Sequence, residues 1–242
     1  TYSVTGFVNN DEDSAVIALT RETGENVGTY DIITTYSNDN YDINIVDAKF
    51  TIIARTITDG IVTGIDASYI YTGSDIKPTV TLTVNDIVLT SGSDYEVTYA
   101  NNKNIGTATV TITGKGNYEG TITKTFTITS FSIDMSGVTF VDKVVTYDTT
   151  NHMISVVNLP NTVTVVYKAN NAVFDGATNV GVYEITAIFT PKDPNHTLTK
   201  ESLTATLTIE QDTIDMSGVV FNDSTVTYDG NSHTITATNI PD

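Results

Sequence analysis

Hydrophobic and polar residues alternate along several short segments of the chain. Between residues 107 and 113 every second residue is threonine, and Ala108, Val110 and Ile112 lie between them. The same period of two recurs over 183–189 and 203–209. This period places the apolar side chains on one face of an extended backbone, so each segment predicts a half-buried β-strand.

Turn residues separate these segments at regular intervals. Residues 114–117 read Gly-Lys-Gly-Asn and predict a hairpin turn, and Asn40 and Asn195 occupy the corresponding turns elsewhere. Threonine, valine and isoleucine make up 97 of the 242 residues, which favours strands over helices. The pattern predicts an all-β chain of tandem immunoglobulin-like β-sandwich repeats in an extended array.

The chain repeats itself. Residues 133–138, Ile-Asp-Met-Ser-Gly-Val, recur 81 positions later at 214–219. More distant copies share an opening Tyr-x-Gly or its variant, a middle Asn-Val/Ile-Gly-x-Tyr/Ala, and a closing strand. The opening tyrosines are Tyr71, Tyr147 and Tyr228, the middle landmark contains Gly28 with Tyr30, Gly106 with Ala108 and Gly181 with Tyr183, and the closing strands are 50–52, 126–128 and 207–209.

The order of the landmarks predicts the domain organisation. Residues 54–129 and 130–210 carry all three landmarks and are predicted to be complete immunoglobulin-like repeats. Residues 1–53 are predicted to be the C-terminal part of a truncated β repeat, and residues 211–242 the N-terminal part of another. The short linkers are not rich in Pro, Gly or Ser, so we expect neighbouring repeats to be held stiffly.

The middle landmark has a structural interpretation. In immunoglobulin-type sandwiches, a Tyr near the start of the penultimate strand bonds to upstream backbone through its hydroxyl group. Tyr30 and Tyr183 occupy that position, whereas the copy at Ala108 has no hydroxyl group. A glycine two residues earlier suits a tight entry turn, so we predict a structural role for this motif.

Several motifs resemble known surface repeats. Residues 2–9, 27–30 and the strand at Phe50 resemble the MBG family of bacterial surface repeats. Residues 71–73, 94–99 and 114–120 resemble a related bacterial immunoglobulin-like repeat, and the Asp-Met-Ser-Gly copies resemble repeats from surface proteins of Gram-positive bacteria and their wall-less relatives. The resemblance implies an extracellular adhesin or stalk at the bacterial cell surface. It brings no catalytic residue with it.

Charge and composition exclude several classes of function and partner. The net charge of −18 repels phosphate backbones, so we expect no nucleic-acid partner. The sequence has no cysteine and no apolar run long enough to span a membrane. The histidines His152, His196 and His233 lack metal-ligand spacing, and no nucleophile elbow or P-loop is present. We predict that the protein is not an enzyme.

Calcium is the one candidate cofactor, because Ca²⁺ prefers clustered carboxylate oxygens. EF-hand spacing is absent, and acidic surfaces produce such clusters by chance. Lys124 alternates with Phe126 and Ile128 and is expected to face inward, where it would pair, form a Lys–Asn crosslink or extend outward. The candidate calcium ligands are Asp11, Asp13, Asp39, Asp42, Asp212 and Asp215.

Three functions remain open at this point. The first is a non-catalytic stalk that displays a distal binding region, the second is binding of mucin or host glycans and proteins by the repeats themselves, and the third is an accessory module of a surface hydrolase. A β-grasp-like fold is the structural alternative, in which residues 13–19 form a short helix. Exposed aromatic side chains available for a glycan platform are Tyr2, Tyr30, Tyr36, Tyr41 and Tyr118.

Overall fold

A computed structural model describes residues 4–8, 16–37 and 40–241. Strands, turns and bridges make up the regular structure of these residues, and no helix occurs among them. The chain divides into two compact units, Thr1–Phe131 and Ser132–Asp242. The prediction of an all-β, sandwich-type fold is confirmed.

The first unit opens with a three-stranded antiparallel sheet. Its strands are β1 (Val16–Arg21), β2 (Gly28–Ser37) and β3 (Lys49–Ile52), in the order β1-β2-β3. The short helix of the β-grasp alternative is wrong from residue 16 onward, because that stretch pairs as a strand; residues 13–15 lie outside the described part of the chain. No described side chain of these three strands is fully buried.

Residues 55–129 form a sandwich in which two sheets share one core. One sheet has the order β6-β12-β10-β9 and the other β5-β7-β8, while β4 pairs with β11. The core includes Leu82 from β7, Val110 and Ile112 from β10, and Phe126 from β12. The strands are β4 (Arg55–Thr56), β5 (Ile61–Thr63), β6 (Ser68–Ile70), β7 (Thr81–Val84), β8 (Ile87–Val88), β9 (Tyr95–Ala100), β10 (Gly106–Gly114), β11 (Tyr118–Glu119) and β12 (Thr121–Thr129).

The alternation predicted for β10 is confirmed, since Ala108, Val110 and Ile112 are all buried. In β12 the expectation of an inward-facing Lys124 is wrong: its side chain is exposed, although Phe126 further along the strand is buried. A lysine can keep its ammonium group hydrated by extending past the apolar edge, which avoids the cost of a buried charge.

The second unit is built around a five-stranded sheet of order β14-β19-β17-β15-β16, with β13 and β18 paired separately. Residues 134–162 contribute few strands but pack on the apolar face of this sheet. Met135 and Ile154 from this segment join Ile185 and Leu207 of the sheet in one buried cluster. The strands are β13 (Phe131–Ile133), β14 (Lys143–Thr146), β15 (Val163–Ala169), β16 (Ala172–Val173), β17 (Gly181–Pro191), β18 (His196–Leu198) and β19 (Ser202–Glu210).

In both units an early strand runs parallel to the last strand of the sheet. β6 pairs with β12, and β14 pairs with β19. A landmark tyrosine extends each pair: the Tyr71 N–H donates to the Thr129 carbonyl at 2.8 Å, and the Tyr147 N–H donates to the Glu210 carbonyl at 2.9 Å. The opening and closing landmarks of the sequence therefore meet in space.

Candidate binding groove and repeated landmarks

The middle landmark places a tyrosine hydroxyl over the turn that precedes it. The Tyr30 hydroxyl donates to the Asn26 carbonyl at 2.6 Å, and the Tyr183 hydroxyl donates to the Asn179 carbonyl at 2.9 Å. Both tyrosines lie near the start of the strand, β2 or β17, that pairs with the closing strand. Each hydroxyl bond ties the strand to the loop before it.

The landmark glycines have two different physical roles. A Cβ atom at Gly181 would lie 3.3 Å from the Tyr183 ring, and one at Gly28 would lie 3.7 Å from the Tyr30 hydroxyl. At Gly106, where the repeat has alanine in place of tyrosine, nothing lies within 4 Å, but φ is +129°. Glycine therefore leaves room for the ring at Gly181 and permits a left-handed backbone at Gly106, whereas a Cβ atom at Gly28 would make only ordinary van der Waals contact.

The opening landmark shares a left-handed backbone at its third position. Gly73 and Gly230 both have φ near +80°, and Thr149 has φ +69°. The tyrosines two residues earlier differ in environment: Tyr71 is buried, Tyr147 is half-buried, and Tyr228 is exposed. The backbone geometry is therefore common to the copies, whereas burial of the tyrosine depends on the sheet that faces it.

An open groove lies against the apolar face of the first sheet. Its volume is about 1020 Å³, and Leu19, Ile32 and Phe50 form its floor on β1, β2 and β3. The segments around Phe7 and Tyr41 line it as well, and these two rings meet edge to face at 5.1 Å.

Arg21 is the one cationic side chain among the described residues that line the groove. The guanidinium group of Arg21 is 5.1 Å from the centre of the Tyr30 ring and 5.0 Å from that of Phe50. The Arg21 Nη1 group donates to the Gly24 carbonyl at 2.7 Å, and Nη2 forms an ion pair with Glu25. Stacking on aromatic faces and a paired carboxylate fix this charge in place.

Aspartates cap tight turns in both copies of the Asp-Met-Ser-Gly motif. Asp134 accepts the backbone N–H of Ser136 at 2.8 Å, and Asp215 accepts that of Ser217 at 2.8 Å. Backbone and side-chain hydrogen bonds from Ser136 lower the pKa of Asp134 below its ordinary value. Side-chain and backbone hydrogen bonds from Ser217 do the same to the pKa of Asp215.

The repeated histidines each meet an aspartate four residues earlier. His152 Nε2 lies 2.9 Å from Asp148 Oδ1, and His233 Nε2 lies 3.0 Å from Asp229 Oδ1. Hydrogen bonds from Thr150 chiefly lower the pKa of Asp148, and the backbone N–H of Asn231 is the main cause of the lowered pKa of Asp229. His196 Nδ1 lies 3.5 Å from Asp193.

The calcium candidates fall in different places. Asp42 lines the groove, Asp212 accepts the N–H of Thr213 at 2.8 Å, and Asp215 caps its own turn. Across residues 4–8, 16–37 and 40–241, no three His, Cys, Asp or Glu side chains are grouped to hold a metal ion. Calcium binding stays a prediction. Three of the candidates lie outside the described residues: Asp11, Asp13 and Asp39.

The candidate tyrosines do not form one platform. Tyr41 lines the groove, Tyr36 is exposed on β2, and Tyr118 is half-buried at the start of β11. Tyr2 lies outside the described residues. The groove therefore brings together one candidate tyrosine, Tyr41, with the polar side chains of Asp42 and Asn44.

Comparison with known families gives a match over the first repeat. A family model described as MBG domain (YGX type) matches residues 1–51, which contain the whole three-stranded sheet except its last residue. MBG domains are repeat domains of surface-type proteins and are generally non-catalytic. No curated protein matches the chain. The described residues include no helix that could cross a membrane.

Proposed function

We propose that this chain is a non-catalytic, load-bearing stalk segment of a bacterial cell-surface adhesin-like protein. Its role is to hold a distal binding region away from the cell. The observation that carries this proposal is the parallel pairing of an early strand with the last strand in both units. The MBG match to residues 1–51 supports a place among surface repeat proteins.

Parallel pairing of this kind resists tension. Once β4 has detached from β11 and β5 from β7, force applied through the chain pulls β6 and β12 in opposite directions along their common axis. The hydrogen bonds between them run across that axis, so they are sheared together and do not open one at a time. In the first sandwich, bonds at each end of the pair extend it: Thr127 N–H to the Ala67 carbonyl at 3.0 Å and Tyr71 N–H to the Thr129 carbonyl at 2.8 Å.

The junction between the first sheet and the first sandwich is also bonded. The Asn117 side chain accepts the Val27 N–H at 2.7 Å and donates to the Asn26 side chain at 2.9 Å. The Asn117 carbonyl accepts the Arg55 N–H at 2.9 Å. One asparagine in a hairpin therefore ties the preceding repeat and the linker together, which supports a stiff connection.

Force spectroscopy tests the proposal. The 242-residue chain is tethered through cysteines added at its two ends, since it has none of its own. We expect two high-force unfolding events, one for each sandwich. Thr127→Pro removes the N–H that bonds to Ala67, and it should lower the force of one event because fewer bonds share the load.

Thr125→Pro is the matched control. Thr125 is exposed on the same strand, and the pairing of β6 covers only residues 127–129 of β12. Its N–H therefore lies beyond the end of β6. Equal unfolding forces for Thr127→Pro and Thr125→Pro would mean that the strand pair bears no load, and the proposal would lose its support.

The groove favours a second candidate function, binding of mucin or host glycans. Tyr41 offers an aromatic face, and Asp42 and Asn44 offer hydrogen-bonding groups beside it. The purified chain is tested on a mucin and glycan panel with and without calcium. Saturable binding that is lost in Tyr41→Ala but kept in Tyr118→Ala would assign adhesion to the groove; no binding in either condition would leave the stalk as the function.

A further inference from the structure

We infer that the Asp193–Pro194 peptide bond is a self-cleavage site, at which the Asp193 carboxyl group attacks its own backbone carbonyl carbon. The inference goes beyond the stalk proposal, because it assigns a site of covalent modification. The reaction acts once on the chain itself, so it does not make the protein an enzyme. This bond is the one Asp-Pro bond in the sequence, and it lies in the turn between β17 and β18.

The turn fixes the carbonyl group of the bond that is cut. His196 N–H donates to the Asp193 carbonyl oxygen at 3.1 Å. Pro194 occupies the second position of the turn that this bond closes, where the φ angle of proline fits. A donor on a carbonyl oxygen stabilises the negative charge that develops there when a nucleophile adds to the carbon. The backbone therefore polarises the bond between Asp193 and Pro194.

The same turn holds the attacking group. Asp193 Oδ1 accepts the Asn195 backbone N–H at 2.9 Å and the Asn195 side-chain amide at 2.8 Å. Asp193 Oδ2 lies 3.5 Å from His196 Nδ1. When an aspartate oxygen adds to the carbonyl carbon of its own residue, it closes a cyclic anhydride. A side chain already held in one conformation loses less entropy in this ring closure.

Pro194 supplies the leaving group, because its nitrogen belongs to a tertiary amide and leaves as a secondary amine. In the first step an Asp193 carboxyl oxygen bonds to the backbone carbonyl carbon, and the bond from that carbon to the Pro194 nitrogen breaks. The proton of the carboxyl group ends on that nitrogen. In the second step water opens the anhydride and leaves two carboxyl groups on Asp193. The net reaction is hydrolysis of one peptide bond.

The His196 imidazole carries the proton in this reaction. Its ring is half-buried, and its Nδ1 faces Asp193 Oδ2. An imidazole in this place accepts the carboxyl proton and returns it to the leaving nitrogen, and such general acid–base catalysis contributes roughly 10²–10⁴-fold. His196 thus acts on both sides of the bond, through its backbone N–H and through its ring.

The first sandwich shows that the hairpin forms without these residues. Its corresponding turn is closed by Tyr118 N–H, which donates to the Lys115 carbonyl at 3.0 Å, and Asn117 corresponds to Asn195. Lys115 and Gly116 stand where the second unit has Asp and Pro, so closing the turn does not by itself require that pair. The Lys115–Gly116 bond has neither a neighbouring carboxyl nucleophile nor a tertiary amide, and it should stay intact.

Cleavage would leave the second unit folded. Lys192 N–H donates to the Thr162 carbonyl at 2.9 Å on one side of the cut, and Thr199 N–H donates to the Ile133 carbonyl at 3.0 Å on the other. β17 also stays paired with β19. The two fragments should therefore remain together until the chain is denatured or pulled. Release of the distal part under tension, unlike the cleavage itself, rests on the stalk proposal.

Intact mass spectrometry and denaturing electrophoresis of the purified 242-residue chain test the inference. During incubation near neutral pH with protease inhibitors, we expect fragments 1–193 and 194–242, the second beginning at Pro194. Asp193→Asn keeps the acceptor oxygen of the turn but has no carboxyl group, so it should give no fragments while circular dichroism stays unchanged. Asp148→Asn is the matched control, because Asp148 caps a turn beside a histidine but is not followed by proline, and it should leave cleavage unchanged.

The dependence on the fold is measured by comparing the folded chain with the chain in urea. Cleavage should be at least about 10-fold faster in the folded chain, because only there are the reacting groups held together. His196→Gln keeps the backbone N–H but cannot carry a proton, and it should slow cleavage about 100-fold. Hydroxylamine should trap the anhydride as a hydroxamate on Asp193; the sequence has no Asn-Gly bond, which this reagent also cuts.

Three results would overturn the inference: a chain that stays intact, cleavage that persists in Asp193→Asn, or equal rates in the folded and the urea-unfolded chain. Fragments that form without any hydroxamate would refute the anhydride step. The stalk proposal fails separately, because its test compares unfolding forces at β6 and β12 in the first sandwich. An uncut chain can still bear load there, and a cut chain can lack that load.

Discussion

The third position of the opening landmark offers a sharp test of how these repeats are built. The backbone there is left-handed in every copy, with glycine at 73 and 230 and threonine at 149. A β-branched residue at positive φ is sterically unfavourable, because its Cβ crowds the neighbouring carbonyl oxygen. Thr149→Gly should therefore stabilise the second unit.

The magnitude follows from two opposing terms. An L-residue in the left-handed conformation destabilises the folded state by roughly 1–2 kcal/mol, and replacing it with glycine removes this cost. This gain in stability is reduced by roughly 0.5–1 kcal/mol, because glycine is more flexible in the unfolded chain and loses more conformational entropy on folding. Thr149 is exposed, and the capping bonds of Asp148 go to its neighbour Thr150, so few other contacts are lost. The expected gain is about 1 kcal/mol, or a rise in Tm of about 4–8 °C for a domain of this size.

Gly73→Thr is the reciprocal variant. A Cβ atom at Gly73 would meet nothing within 4 Å, so the backbone angle alone sets the cost. It should destabilise the first sandwich by a similar amount. Both variants are measured in the full chain by calorimetry, which separates the transitions of the two units. If Thr149→Gly is neutral or destabilising and Gly73→Thr costs nothing, backbone strain does not govern this position.

Three further outcomes are expected. Tyr183→Phe removes the hydroxyl bond to Asn179 and should destabilise the second unit by about 1 kcal/mol in urea unfolding, whereas an unchanged midpoint would show that the bond contributes nothing. Leu207→Ala should cost about 2–5 kcal/mol, because the side chain is fully buried; a smaller loss would mean that the core relaxes around it. The lowered pKa of Asp148 means that its stabilising contribution is present above about pH 3.9 and is lost as pH falls through the folded value. In NMR titrations, Thr150→Ala should move the Asp148 titration upward, and no movement would assign the lowered pKa to another cause.

Local features of the fold follow from the sequence alone. The period of two in β10 and β17 specified which side chains face the core, because successive residues of a strand point to opposite faces. Left-handed turns were marked by glycine and asparagine, which tolerate positive φ. The bond between Tyr183 and Asn179 joins residues four apart, so it too depends on a short stretch of chain.

Other features depended on residues far apart in the chain. Residues 16–21 form a strand because they pair with β2, although their sequence also allowed a helix. Lys124 alternates in register with Phe126, yet only the extent of the facing core decides that one is exposed and the other buried. The parallel pairs β6–β12 and β14–β19 join segments about 60 residues apart, as the registers show.

The repeats show most clearly which features the sequence determines and which features depend on the tertiary structure. The sequence alone determined that residues 1–53 and 211–242 resemble opposite halves of one repeat, since the landmarks recur in a fixed order. Only the tertiary structure decided that Met135, Phe140 and Leu207, which are far apart in the chain, are buried in one core. Periodicity is a property of neighbouring residues, but burial requires a second surface, and in these repeats that surface comes from a distant part of the chain.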